Sequence, residues 1–236
     1  MTTSLRAGPV AVLAAAVGLA LAGCGSDTSG DAASETQTTS SEAASSTSAT
    51  VSPTETSPAQ AAGPQPTIAD YIRENGIQQT PVTPGAPGAP RVDLPQLPGW
   101  EDAGPRTPEG AYSAIVFADP AMAQDPPMIT TVMSKLTGTV DPAKIFEYAP
   151  GEIKNLPGYE NMGDGKASEL GGFEAYQVGG GYTRDGVNRM IAQKTVVIPA
   201  PDGAYLLQLK AEGTEDQIGP LLDATSAIDE QTVITP

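Results

Sequence analysis

Residues 173–211 read FEAYQVGGGYTRDGVNRMIAQKTVVIPAPDGAYLLQLKA, and this stretch decides the fold. Two turn signals divide it, Asp185-Gly186 and Pro201-Asp202-Gly203. The dipeptide Asp-Gly supplies the positive φ angles that tight hairpins need. Between the turns lie runs rich in Val, Ile, Tyr and Thr, the residues that suit a pleated surface. The reading is a three-strand antiparallel meander over Phe173–Gly181, Val187–Ile198 and Tyr205–Ala211. In the last strand Tyr205, Leu207, Leu209 and Ala211 alternate with Leu206, Gln208 and Lys210, the period-two pattern of a half-buried strand.

Upstream, Lys166–Leu170 reads as a further short strand. Asp141-Pro142 is an N-cap and first-turn pair opening a helix with Ile145, Phe146, Ala149, Ile153 and Leu156 on its apolar face. Pro150-Gly151 kinks or splits that helix. Tyr112–Ala118 and Met128–Leu136 read as strands, and Thr80–Pro90 (TPVTPGAPGAP) as a loop. Thr67-Ile-Ala-Asp70 is a capping box opening a short helix, with Ile68, Tyr71 and Ile72 on one face and Gly76 as its stop. Downstream, Thr214-Glu-Asp-Gln217 caps a final helix carrying Ile218, Leu221, Leu222 and Ile228, with Pro220 a second candidate for its first residue. Tight turns rather than crossovers join the strands, so the expected class is α+β, a mostly antiparallel sheet with helices against it.

The N-terminal third is different. Arg6 precedes an unbroken apolar run, Val10–Ala22, too short to span a bilayer but long enough for a signal-peptide core. The run ends in Leu21-Ala22-Gly23-Cys24, and the chain contains a single cysteine. This matches a bacterial lipobox, with cleavage after Gly23 and Cys24 becoming an S-diacylglyceryl, N-acyl cysteine. Of the 42 residues from 25 to 66, 18 are Ser or Thr and Val51 is the one large aliphatic residue. Such a stretch lacks the apolar surface to offset ordering entropy and is expected to be a disordered tether. Ser52-Pro53 and Ser57-Pro58 give it some likeness to an O-glycosylated stalk. The expected organisation is residues 1–23 signal peptide, 24–66 lipidated cysteine and tether, and 67–236 one domain.

Composition excludes several chemistries. There is no histidine, which removes His-based catalysis and His-ligated metals, and one cysteine cannot form an intrachain disulfide. The net charge is −16. Removing five tether acids and Arg6 from the totals of 28 and 12 leaves 23 acids and 11 bases, net −12, after residue 66. That balance excludes a nucleic-acid partner, since phosphate binding needs a Lys/Arg surface. No phosphate loop, dinucleotide loop, EF-hand or nucleophile elbow is present, so no cofactor or metal is expected. Gly179-Gly180-Gly181 reads as a bulge or close backbone approach.

Leu97-Pro-Gly-Trp-Glu101 recurs as Leu156-Pro-Gly-Tyr-Glu160, each a turn leading an aromatic into an extended segment. Trp100 is the candidate ligand-binding residue, at the mouth of a site; the structural alternative has both aromatics capping the core.

These features together, the lipobox, the Ser/Thr tether, Thr67-Ile-Ala-Asp-Tyr-Ile72, Leu97-Pro-Gly-Trp100, the Tyr112–Phe117 strand and Asp141-Pro-Ala-Lys-Ile145, resemble the mycobacterial LpqN/LpqT lipoprotein family. The likeness covers residues 67–236. It implies a PsbP-like fold, an antiparallel sheet sandwiched by helices. It also implies a cell-envelope lipoprotein associated with trehalose mycolate export, through contact with RND-type lipid transporters and their glycolipid cargo. The expected protein is a non-catalytic monomer anchored at the outer face of the plasma membrane, with a secreted pool as a secondary location. Two other classes stand beside it: a carboxylate-based hydrolase of envelope lipids or glycans, and a surface effector or adhesin binding host proteins.

Overall fold

The computed structural model describes residues 64–236. The signal peptide, Cys24 and nearly all of the expected tether lie outside the described residues.

The first helix, α1 (Ile68–Glu74), begins where its capping box predicts. Thr67 accepts from the Asp70 amide, and Asp70 accepts from both the Thr67 amide at 2.9 Å and the Thr67 hydroxyl at 2.7 Å. These bonds, aided by Arg73, hold the Asp70 carboxyl down at about 2. Thr67→Ala should lower stability by about 1 kcal/mol in urea unfolding, the usual cost of an N-cap. A loss below a few tenths would show that packing alone defines the helix start.

Short strands β1 (Gln78–Pro81), β2 (Arg91–Asp93) and β3 (Trp100–Asp102) follow. Next come β4 (Ser113–Phe117), β5 (Met128–Thr137) and the split helix α2 (Pro142–Tyr148) and α3 (Gly151–Lys154). Then come β6 (Glu160–Asn161), β7 (Lys166–Leu170) and the meander β8 (Phe173–Arg184), β9 (Val187–Ala200) and β10 (Gly203–Thr214). A 3-10 turn at Glu215–Gln217 leads into α4 (Ile218–Gln231), and β11 (Val233–Thr235) ends the chain.

Nine strands form one antiparallel sheet in the order β3-β4-β5-β10-β9-β8-β6. The outer edge of β5 is shared by β4 and β1, and that of β8 by β6 and β7. A separate two-stranded ribbon pairs β2 with β11. The fold is α+β with helices on both faces. On one face α1 and α2 bring Ile68, Tyr71, Ile72 and Ile145 against Leu136, Val197 and Leu206. On the other, α4 brings Leu221, Ala224 and Ile228 against Met133, Val196, Leu207 and Leu209.

Four expectations need correction. β10 is not half-buried: Leu206 and Gln208 are buried as well as Leu207, because helices roof the face that alternation assigns to solvent. Strand 78–81 takes up Thr80 and Pro81, so the loop begins at Val82; proline is tolerated there because β1 is an edge strand. Pro220 lies inside the first turn of α4, which starts at Ile218 after the Thr214–Gln217 capping box. Of the apolar residues assigned to α4, Leu221 and Ile228 are buried, but Ile218 and Leu222 are exposed. The buried stripe runs 221, 224, 228, and the other two flank it. The order of elements also gains five short strands, β1, β2, β3, β6 and β11, that the sequence reading did not assign.

Candidate functional site: a groove beside Trp100

The repeated Leu-Pro-Gly-aromatic-Glu motif folds the same way twice. In each copy the aromatic amide bonds back to the leucine carbonyl at 3.1 Å, with proline second and a positive-φ glycine third (Gly99 φ 77°, Gly158 φ 62°). This is the arrangement of a type II turn, whose third position favours glycine. Each turn then launches a short strand onto a sheet edge: β3 pairs with β4, and β6 with β8.

The two aromatics part company beyond the turn. The Tyr159 ring packs over Gly180, where a Cβ would lie 2.5 Å from the ring, and its hydroxyl donates to the Gly179 carbonyl at 3.0 Å. Close approach explains Gly180, the middle of the glycine run. Trp100 is half-buried, its ring tilted against Phe117 with centroids 5.7 Å apart. Its remaining surface lines a groove of about 760 Å³, a volume in the range of small-molecule sites. Trp100 is therefore both a cap on the core and a wall of the groove.

The other wall is the segment from Pro84 to Leu97. Three ties hold it. The Val82 amide donates to the Met133 carbonyl at 2.9 Å, the Tyr205 hydroxyl donates to the Gly88 carbonyl at 2.8 Å, and β2 pairs with β11. Val92, Leu94, Leu97, Tyr112 and Ile115 supply apolar lining; Asp93, Glu101 and Asp102 supply carboxylates, with Arg91 paired to Asp93. The surface is thus apolar in its lining and acidic at its polar groups. Sequence reasoning singled out Trp100 but missed the opposite wall; the alternation Arg91-Val-Asp-Leu94 between two prolines was its one signal.

Among the described residues, neither the one Ser–Lys contact nor the shifted carboxyls has the form of a nucleophile or a general acid. Lys194, on β9, does meet the hydroxyl of Ser168 at 3.1 Å, yet the same ammonium is engaged by Asp229 of α4. A Ser–Lys nucleophile needs its amine free to take the hydroxyl proton; here the amine ties a helix to the sheet. The carboxyls with shifted proton affinity, Asp70, Asp125 and Asp202, are all lowered by hydrogen bonds from Thr67, Arg189 and Lys135 respectively. A general acid needs the opposite direction. Among the described residues no group of three or more acids or cysteines is placed to hold a metal, and no helix is long and apolar enough to cross a membrane.

A family model described as "Probable lipoprotein LpqN" matches residues 64–235, the whole of the described domain save its last residue. The chain belongs to the LpqN lipoprotein family. Lipoprotein LpqN of Mycobacterium tuberculosis (strain ATCC 25618 / H37Rv) is 53% identical over 226 residues, covering 96% of this chain and 97% of that protein. The crystal structure of LpqN "involved in cell envelope biogenesis of Mycobacterium tuberculosis" superposes with a TM-score of 0.69 at 51% identity. That comparison covers 74% of this chain and all of that one.

Proposed function

We propose that this LpqN-family chain is a non-catalytic envelope lipoprotein, held at the outer face of the plasma membrane by acylated Cys24, whose domain binds a neutral glycolipid. The observation that carries this reading is the Trp100 groove, with an aromatic wall, an apolar lining and carboxylates that accept from sugar hydroxyls. The same carboxylates, in a domain of net −12, disfavour anionic lipids. An acylated trehalose of the mycolate type satisfies these conditions. An RND-type lipid transporter is the fitting partner to deliver or receive it, and the protein acts as a monomer.

Burying acyl surface contributes about 25 cal/mol per Å², whereas hydroxyls exchange water bonds for protein bonds at small net gain. Calorimetry on the mature protein should therefore show dodecanoyl-trehalose binding at least tenfold more tightly than trehalose. Trp100→Ala should weaken that binding by about tenfold, the loss of one aromatic contact surface. Equal weak binding of both ligands, or an unchanged Trp100→Ala variant, would defeat the reading.

A further inference from the structure

A second groove lies on the same face of the sheet as α4, on the β8–β9 side of β10 and away from β3 and β4. Its volume is about 400 Å³. Five large apolar side chains are exposed among the described residues: Met162, Val187, Ile218, Leu222 and Val233. Three of them, Met162 (62% exposed), Leu222 (60%) and Ile218 (37%), line this one groove. Such clustering marks an interaction surface, whereas isolated exposed apolar residues do not. The floor is made of small residues, Gly179, Ala192 and Ala211, which leaves room for side chains entering from outside.

The charges around the groove select the occupant. Asp164 lines it; Glu215 and Asp216 precede Ile218, and Asp223 follows Leu222, all exposed. Lys166 is the one base in the lining. This acidic rim, in a domain of net −12, repels a second copy of the chain and an anionic membrane surface alike. It attracts a cationic partner. Ile218, Leu222 and Thr225 stand at i, i+4 and i+7 along α4, a length of about 10 Å at 1.5 Å per residue. That matches two turns of a helix presenting apolar anchors at the same spacing.

We propose that this groove docks an amphipathic basic helix of a partner protein, its apolar ridge on Met162, Ile218 and Leu222 and its Lys/Arg flanks on the acidic rim. The surface is separate from the Trp100 groove and does not depend on what that groove binds.

The test titrates the full mature chain with a 14-residue Lys/Leu peptide carrying Leu at i, i+4, i+7 and i+11. A peptide of the same composition with its leucines grouped in sequence and a Glu/Leu peptide serve as comparisons. The periodic Lys peptide should bind and shift the Leu222 and Met162 methyl resonances, while the other two bind at least tenfold more weakly. Leu222→Ser should reduce its affinity about tenfold; the side chain is exposed, so the melting curve should stay unchanged. Val187→Ser, at another exposed apolar site outside the groove, should leave the affinity unchanged. Asp164→Lys with Asp223→Lys should weaken binding and flatten its salt dependence. Equal binding of the regrouped peptide, or no effect of Leu222→Ser, would reduce the interaction to surface charge and overturn the proposal. So would shifts of the same methyls by sub-micellar dodecyl maltoside without shifts by the periodic peptide, which would assign the groove to an acyl chain.

Discussion

Cys24→Ala should move the protein out of the detergent phase and leave its precursor uncleaved or its product in the medium. Alanine cannot form the thioether, and no other cysteine in the chain can replace it. The effect is large because anchoring is additive over acyl carbons, at about 0.8 kcal/mol per buried CH₂. One chain holds a protein at a membrane only marginally, and two or three hold it durably. Removing the acceptor removes all of them at once. Detergent phase separation after labelling with a radioactive fatty acid measures both incorporation and partition. Wild-type partition of the variant would refute the lipobox assignment.

Arg189→Ala should cost about 1–3 kcal/mol of folding stability, from the lost packing and hydrogen bonds of a buried side chain whose carboxylate partners keep solvent or Arg184. The Arg189 side chain is only 5% exposed. Its guanidinium meets Asp125, and its Nε donates to Glu212 at 2.9 Å. Glu212 also receives Arg184 at 2.6 Å. Burial, and then the hydrogen bond to Glu212, push the neighbouring Tyr182 hydroxyl up to about 12. The cluster joins β8, β9 and β10 to the loop before β5. Arg189→Met should cost distinctly less than Arg189→Ala, since it keeps most of the buried volume, while both variants leave Glu212 with Arg184. Urea midpoints of the two variants decide this, and a loss below about 1 kcal/mol for Arg189→Ala would make the cluster incidental.

The same variant changes the acid limb of the stability curve. Arg189 lowers the Asp125 carboxyl below its ordinary value of 3.8, chiefly by hydrogen bonding. A lowered folded-state value contributes stability fully above 3.8 and loses it as pH falls further. Arg189→Ala should therefore flatten the fall below that pH. The change is modest because the Asp125 side chain is half exposed, where solvent screens the pair.

The residues show in different ways how far local order reaches. The meander was legible because its strands are runs of β-formers and each turn carries its own glycine, so no distant partner is needed to define it. Thr67–Asp70, Asp141-Pro142 and Thr214–Gln217 were legible for the same reason: a cap is made by atoms two or three residues apart. The split at Pro150 follows from proline's own ring. Trp100 was legible as an aromatic at a turn, because Pro98-Gly99 sets its direction.

Other features depend on partners far along the chain. Gln208 looks like a solvent-facing residue until helices cover its face and Glu152 of α3 accepts its side-chain amide at 3.2 Å. The strands β1, β2, β3, β6 and β11 are two to four residues long, and each exists because another strand offers it an edge. Ile218 and Leu222 sit within a helix whose apolar count exceeds the stripe that packing can use, and the sheet beneath decides which residues are left over. Lys194 and Ser168 meet only because β7 and β9 flank β8.

The sequence by itself therefore determined the α+β class, the meander and the helix starts, since each is written within a few adjacent residues. Only the tertiary structure decided that Trp100 faces the Pro84–Leu97 wall and that Met162 joins Ile218 and Leu222 in one groove. A groove is the space between segments distant in sequence, and its shape depends on how whole elements pack, which no local period or turn encodes.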